Sequence, residues 1–238
     1  MIPKLIHQTA KTQEIPEKWR SFQFKLKSLH PDWTYRLWTD KDNLDFVTRE
    51  FPDFLKVYQS LPKNIMRVDV IRYLLLYQLG GVYLDMDYEM LKPFDLNHHH
   101  AVLPLEKNPS QEIPFGQACN CFMAAEPRHP FFKAVVDDLA ANPPLDPKCD
   151  VVVATGPLLL TRIMASSEHL RATLHMPKVE LFNLGNPWNK TAYAKLKQDG
   201  HVYGIHHCHG SWRDFSLRQR TKMRLNGVVR RFRSLFTH

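Results

Sequence analysis

Two aspartates one residue apart, Asp85 and Asp87, close the run ValTyrLeuAspMetAspTyr at 82–88. In extended chain the side chains alternate, so Tyr83, Asp85 and Asp87 share one face and Val82, Leu84 and Met86 the other. Two carboxylates that project together can hold a hard divalent cation through oxygen, with phosphate oxygens and water completing its coordination. Such an ion suits a diphosphate leaving group, because the ion and a nearby arginine neutralise the charge that develops on it. Alone, Asp-x-Asp is a weak signal, since surface carboxylate pairs are common. A second pair, Asp69 and Arg72, interrupts an otherwise apolar stretch; three residues apart on a helix, they share a face with Ile65 and Leu76. Charges on a buried face need partners or a polar cleft. A structural ion pair and a ligand-binding pair both meet that need.

The elements that must position these residues follow from apolar periodicity. Asn64 to Leu79 reads as a helix apolar nearly all round, hence buried, with Asn64 as N-cap and Gly80-Gly81 as its stop. The β-rich run after the glycines then carries both aspartates to a strand's end, where open parallel sheets form ligand clefts. Upstream, Lys4–Gln8 and Trp33–Trp38 read as strands. Between them lies a helix through Trp19, Phe22, Leu26 and Leu29, and ThrAspLysAsp at 39–42 offers caps for the next. Downstream, Ala101–Glu106, Cys119–Ala125, Val179–Leu184 and His201–His206 read as strands. Phe131–Ala141 and Pro157–Ala165 read as helices, and 106–117 and 142–150 as loops bordering a site. The rhythm predicts an α/β fold with a mostly parallel central sheet flanked by helices.

With that context, residues 67–87, ArgValAspValIleArgTyrLeuLeuLeuTyrGlnLeuGlyGlyValTyrLeuAspMetAsp, resemble the core motif of the retaining, GT-A-fold glycosyltransferases of family 32. That family includes initiating α-1,6-mannosyltransferases and mannosyltransferases acting on inositol phosphorylceramide. Further blocks resemble it at 2–9, 31–40, 120–130, 155–157 and 206–212; in the last, HisHisCysHisGlySerTrp, Cys208 stands where the family carries an aromatic. The resemblance implies a GT-A-like, Rossmann-like domain. It implies that Asp69 and Arg72 bind the donor's sugar and diphosphate, Asp85 the ribose or metal, and Asp87 the metal directly. Trp38 and Thr39 would lie along the nucleotide, Asn120 near the sugar ring, and Gly156 at the pocket wall. His207 would be a third metal ligand, with Ser211 and Trp212 closing over the diphosphate. His7 reads as structural. The implied reaction is metal-dependent hexosyl transfer, with Mn²⁺ or Mg²⁺, from a nucleotide diphosphate sugar to a hydroxyl of a glycan or glycolipid. GDP-mannose is the first donor to test, with UDP-glucose and UDP-galactose open.

Composition narrows the remaining classes. The 238 residues, 44% hydrophobic and 24% charged, suit a globular domain with a substantial core. No apolar run approaches the ~20 residues of a membrane span, and no signal-peptide plan opens the chain, so the expectation is a cytosolic protein or one lying on a membrane surface. Cys119, Cys121, Cys149 and Cys208 are too few and irregular for a disulfide scaffold and read as reduced thiols. There is no Gly-rich phosphate loop, no Gly-x-Ser-x-Gly elbow and no His-Glu-x-x-His. Two rivals stay open: a metal-dependent nucleotide phosphohydrolase using the same carboxylates, and a basic membrane-binding module without catalysis. Nucleic-acid binding lacks a stacking platform of interleaved aromatic and basic residues.

Residues 213–238 read as a separate basic tail after a catalytic domain at 1–212, with eight cations against Asp214 alone, +7 of the net +8 charge. Leu225, Val228, Val229, Phe232, Leu235 and Phe236 recur at helical spacing, as in a membrane-surface helix or a helix packed on the domain. If the tail grips anionic lipid, each arginine neutralised should weaken attachment by about 1 kcal/mol, and Phe232→Ser with Phe236→Ser should release it. Liposome co-sedimentation of the full chain against one ending near Trp212 is the measurement. Equal, salt-insensitive partitioning of both would reject the anchor.

Overall fold

The computed structural model describes residues 1–96, 98–182, 194, 195, 198 and 200–208. Strand and helix alternate at first: β1 (Leu5–Thr9), α1 (Glu17–Leu29), β2 (Thr34–Trp38), α2 (Asp40–Glu50), α3 (Leu55–Ser60), α4 (Asn64–Leu79) and β3 (Gly81–Leu84). Short strands follow: β4 (Tyr88–Met90), β5 (Ala101–Val102), β6 (Leu105–Lys107), β7 (Gln117–Ala118) and β8 (Phe122–Ala125). The later elements are α5 (Pro130–Ala141), α6 (Val151–Ala154), α7 (Pro157–Ser166), α8 (Glu168–Ala172), α9 (Val179–Phe182) and β9 (Gly204–His206). Met1–Cys208 pack as one unit. No helix among the described residues is long and apolar enough to cross a membrane.

The central sheet runs β2-β1-β3-β8-β5. β1 is parallel to both β2 and β3, as strands joined by helical crossovers must be, whereas β8 is antiparallel to β3 and to β5. Four of the five strands therefore run one way, and β8 makes the sheet mixed. Alternation along the strands divides the core into two faces. Tyr83 and Met123 point into a cluster with Leu74, Phe131 and Leu160 from α4, α5 and α7. Val82, Leu84 and Phe122 point into the other, with Ile6 and with Leu26 from α1. Each fully buried apolar side chain of this size contributes about 1.5–3 kcal/mol, so the sheet is sandwiched rather than exposed.

Local chemistry sets the elements that matter for the site. Thr39 and Asp42 form a capping box at the start of α2: Asp42 N donates to Thr39 Oγ1 at 3.2 Å, and Thr39 N to Asp42 Oδ2 at 2.9 Å. α4 ends on Gly80, φ 65°, and Gly81, φ 94°. A Cβ on Gly81 would lie 2.3 Å from Leu5 O, so only glycine lets β3 begin against β1 and fold straight back from the buried helix.

Several boundaries differ from the periodicity. Asn64 is the first residue of α4 and makes no cap; Lys63 precedes it, and the Asn64 side chain reaches Asp40 Oδ2 at 3.4 Å. The run 82–88 is not one strand. It leaves the sheet at Asp85, whose N–H donates to Cys121 O at 2.9 Å, turns through a Tyr88 N to Asp85 O bond of 3.1 Å, and pairs with β9 instead. Pro104, which has no N–H to donate, divides the stretch expected at Ala101–Glu106 into β5 and β6. Cys119–Cys121 is a loop ahead of β8. Val179–Phe182 is a helical turn, not the expected strand, and the expected strand at 201–206 is confined to Gly204–His206.

Candidate active site

Asp69 and Arg72 sit in mid-α4, buried, facing the carboxyl end of β3. Their burial is tolerated because both charges are paired and hydrogen-bonded. Arg72 Nη2 lies 3.1 Å from Asp69 Oδ1 and Nη1 3.1 Å from Asp85 Oδ1. Arg72 Nη1 also donates to Asn120 O at 2.7 Å and Nε to Val68 O at 3.2 Å. Asp69 accepts from Asn120 Nδ2 at 3.1 Å and from Thr155 Oγ1 at 2.9 Å. Tyr83 OH, itself 3.0 Å from Thr9 Oγ1, donates to Asp85 Oδ1 at 3.0 Å, and the Arg72 guanidinium lies over the Tyr83 ring. Burial pushes the Asp69 carboxyl up to about 7 against the pull of Arg72, Thr155 and Asn120. Burial raises Asp85 too, with Arg72 and His206 opposing.

The third group at the aspartates is a histidine. His206 Nε2 stands 3.2 Å from Asp87 Oδ1 and 3.8 Å from Asp85 Oδ2, and one ligand atom from each of the three falls within 4.8 Å of the others. Two carboxylates and an imidazole fit a borderline-hard divalent ion such as Mn²⁺. Burial works against a charge on His206, but the hydrogen bond to Asp87 and the charge of Asp85 outweigh it and hold the imidazole's pKa well above 6.5. A protonated imidazole between the two aspartates puts a positive charge where a cation could bind. Two consequences follow at the level of linkage. His206 contributes stability to the metal-free fold that is fully present below pH 6.5 and is lost as pH rises through its raised pKa. Mn²⁺ binding near pH 7 should release about one proton, because a ligating imidazole must be neutral. Calorimetric titration in buffers of differing ionisation enthalpy would show it, and a buffer-independent heat would refute it.

The structure thus brings Asp69, Arg72, Asp85, Asp87 and Asn120 together. Of the two adjacent histidines it is His206, not the expected His207, that meets the aspartates; His207 Nε2 turns to Glu89 Oε2 at 3.1 Å and its ring stacks on Phe22. Register separates the two rings: β9 pairs His206 with Tyr88 and Ile205 with Glu89, so His207 falls on the Glu89 face, while Asp87, in the turn before β4, reaches His206. Trp38 is fully buried, not laid open along a nucleotide. Its indole N–H donates to His7 Nδ1 at 3.0 Å, leaving His7 Nε2–H for Gly80 O at 2.9 Å, so His7 is structural and neutral, its pKa lowered by burial to about 4. Thr39 is occupied by the α2 cap. Gly156 starts α7, where a Cβ would lie 2.9 Å from Val152 Cα; the glycine packs α7 against α6 and places Thr155 beside Asp69. Ser211 and Trp212 lie outside the described residues. Cys119 and Cys121 are buried and form no disulfide, their sulfurs 2.9 Å apart on either side of Asn120. Sequence reasoning missed Thr155, Tyr83 and His206. Tyr83 shares the aspartates' strand face and Thr155 opens the block at 155–157, but neither was given a role, and no periodic signal separates His206 from His207.

One turn of α4 before Asp69, a cleft of about 260 Å³ opens among Asp40, Leu44, Tyr58, Asn64, Arg67 and Val68. It begins where β2 ends. Asp69, Asp85 and Asp87 lie outside it; Val68 lines it and accepts from Arg72 Nε through its carbonyl.

Residues 16–104 match the family described as glycosyltransferase sugar-binding region containing DXD motif. The chain is similar to inositol phosphoceramide mannosyltransferase 3 of Schizosaccharomyces pombe, 41% identical over 168 residues, which cover 69% of this chain and 45% of that protein. It is 39% identical over 166 residues to mannosyl phosphorylinositol ceramide synthase CSH1 of Saccharomyces cerevisiae, covering 68% of this chain and 42% of that one. An initiation-specific alpha-1,6-mannosyltransferase of Candida albicans is 33% identical over 112 residues, 44% of this chain and 29% of the relative. The chain spans less than half the length of these relatives. Among solved structures, PaToxG glycosyltransferase covers 83% of this chain, and is itself covered over 75%, at a TM-score of 0.53 and 18% identity, a likeness of fold alone. By its DXD region, its relatives and its GT-A fold, the chain belongs to the DXD-containing, family 32-type glycosyltransferases.

Proposed function

We propose that this chain transfers a hexosyl group, mannose first, from a nucleotide diphosphate sugar to a hydroxyl of a glycolipid or glycan. The observation that carries the reading is the convergence of Asp85, Asp87 and His206 within 4.8 Å, backed by a buried Arg72 that bridges Asp69 and Asp85. Mannose, and an acceptor of the inositol phosphorylceramide kind, come from the relatives' names. Asp85, Asp87 and His206 would hold Mn²⁺ or Mg²⁺. When bound, the ion supplies positive charge for the departing diphosphate.

The chain's own residues do the rest by preorganisation. Arg72 keeps its charge in a water-poor site because two carboxylates face it; its guanidinium is fixed by four contacts and pays no reorganisation when the diphosphate leaves. Asp69 and Asn120 hold each other beside it, where they can fix sugar hydroxyls through the remaining hydrogen-bonding capacity of the amide and carboxyl. The cleft from Asp40 to Val68 is of a size to take part of a nucleoside and opens at the carboxyl end of β2, where an α/β sheet binds nucleotides. Retention of configuration is implied by the family resemblance, and no separate base is assigned.

The test is a turnover panel: GDP-mannose, UDP-glucose, UDP-galactose and plain nucleotides, with Mn²⁺, Mg²⁺ or chelator, a glycolipid acceptor and linkage analysis of the product. Chelator-sensitive mannosyl transfer is expected. Hydrolysis of plain nucleotides without transfer would favour the phosphohydrolase that the same carboxylates could serve.

A further inference from the structure

Glu89 is a carboxyl group buried within a strand. It lies at the centre of β4, between Tyr88 and Met90, and only 3% of it is exposed. Such burial is costly unless the charge is employed. Its partners include His207 Nε2 at 3.1 Å from Oε2 and Lys25 Nζ of α1 at 3.6 Å from Oε1. The Phe22 ring, one turn before Lys25, stacks on His207 with centroids 4.7 Å apart. α1, β4 and the end of β9 are thereby joined at one imidazole.

That imidazole is next in the chain to the one facing the aspartates. The His207 N–H also donates to Asp87 O at 3.0 Å, so this residue grips the main chain of the Asp-x-Asp turn while its ring is held by Glu89. β9 has only three residues and one partner strand among the described elements, and Gly204 sits so tightly on Tyr88 that a Cβ would fall 2.3 Å from the ring. A strand this short has few other means of fixing its rotation. We propose that Glu89 is a positioning residue for the metal site: by holding the His207 ring it sets the end of β9 so that His206 faces Asp85 and Asp87. The inference rests on the metal reading above and adds to it a residue outside the ligand set. Groups that orient ligands in this way typically tune metal affinity by ten- to a hundredfold.

The test measures Mn²⁺ binding by the full chain, by calorimetry or by the electron-spin signal of the free ion, beside thermal unfolding. The variants are Glu89→Leu, which deletes the contact, Glu89→Gln, which keeps an acceptor oxygen, and His207→Phe, which keeps the stack on Phe22 but drops the hydrogen bond. Expected are dissociation constants raised about ten- to a hundredfold in Glu89→Leu and His207→Phe, a smaller rise in Glu89→Gln, and a double variant no worse than the worse single one. A structural ion pair alone would lower the unfolding temperature and leave Mn²⁺ affinity within twofold, which overturns the proposal, as does a double variant whose losses multiply. Should Glu89→Leu not fold, His207→Phe carries the same comparison. A wild-type chain that binds no Mn²⁺ overturns the metal reading and this inference together; wild-type binding that survives in the variants overturns this inference alone.

Discussion

Asp87→Ala is expected to lose sugar transfer by roughly a thousandfold or more while the protein stays folded. The side chain is 14% exposed and packs into no core cluster; it contributes a carboxylate to the trio with Asp85 and His206. On the proposed reading its removal takes away a metal ligand, and with it the main partner of the His206 proton, so the loss would fall on the charge available to the leaving diphosphate. The stability cost should be limited to about 1–2 kcal/mol for one partly buried, charge-assisted bond. Asp85→Ala should be as inactive but less stable. Its carboxylate also neutralises buried Arg72 and accepts from Tyr83, and stranding a buried charge costs about 3–5 kcal/mol. Transfer assays at limiting and saturating Mn²⁺ with thermal unfolding on the same samples separate the two effects. Near-normal transfer by the Asp87 variant at limiting metal would remove the basis of the proposed site.

Arg72→Lys is the second large effect and decides whether the buried pair on α4 is structural or functional. One guanidinium reaches Val68 O, Asn120 O, Asp69 and Asp85 at once. An ammonium has three donors converging on one atom and cannot span four directions from that position. A stability loss of about 1–3 kcal/mol is expected from the contacts dropped. Transfer should fall about a hundredfold or more even well below the unfolding temperature, because Asp85 and Asn120 both lose the group that fixes them. Donor affinity should fall with it. Unaltered donor affinity and turnover per folded molecule would make Asp69 and Arg72 an ion pair of the core and nothing more.

Most of the frame was legible in the residues because it rests on local rules. β1, α1, β2, α4, α5 and α7 stand within a residue or two of their apolar periodicity, and the Thr39–Asp42 cap of α2 and the Gly80-Gly81 stop have the geometry their residue types require. Local rules failed where pairing is long-range. Asp85 N–H still donates to Cys121 O, 36 residues on, in the β3–β8 register, but the chain then turns and Tyr88–Met90 pair with β9 instead, which no pattern in 82–88 announces. α9 was expected as a strand because four residues are too few for periodicity to tell helix from strand.

By itself, then, the sequence determined which side chains are brought near one another along the chain: Asp85 with Asp87, Asp69 with Arg72, and a helix stopped by glycines so that the two pairs meet. Those relations follow from helical and extended spacing, which operate over a few residues. Only the tertiary structure decided which distant groups complete the site: Thr155 and Asn120 on Asp69, Tyr83 held from Thr9, and His206 rather than His207 at the aspartates. The physical reason is register. A shift of one residue in the pairing of β4 with β9 would exchange the two histidines, and that pairing is set by contacts such as Gly204 on Tyr88 and Glu89 with His207, between residues more than a hundred positions apart.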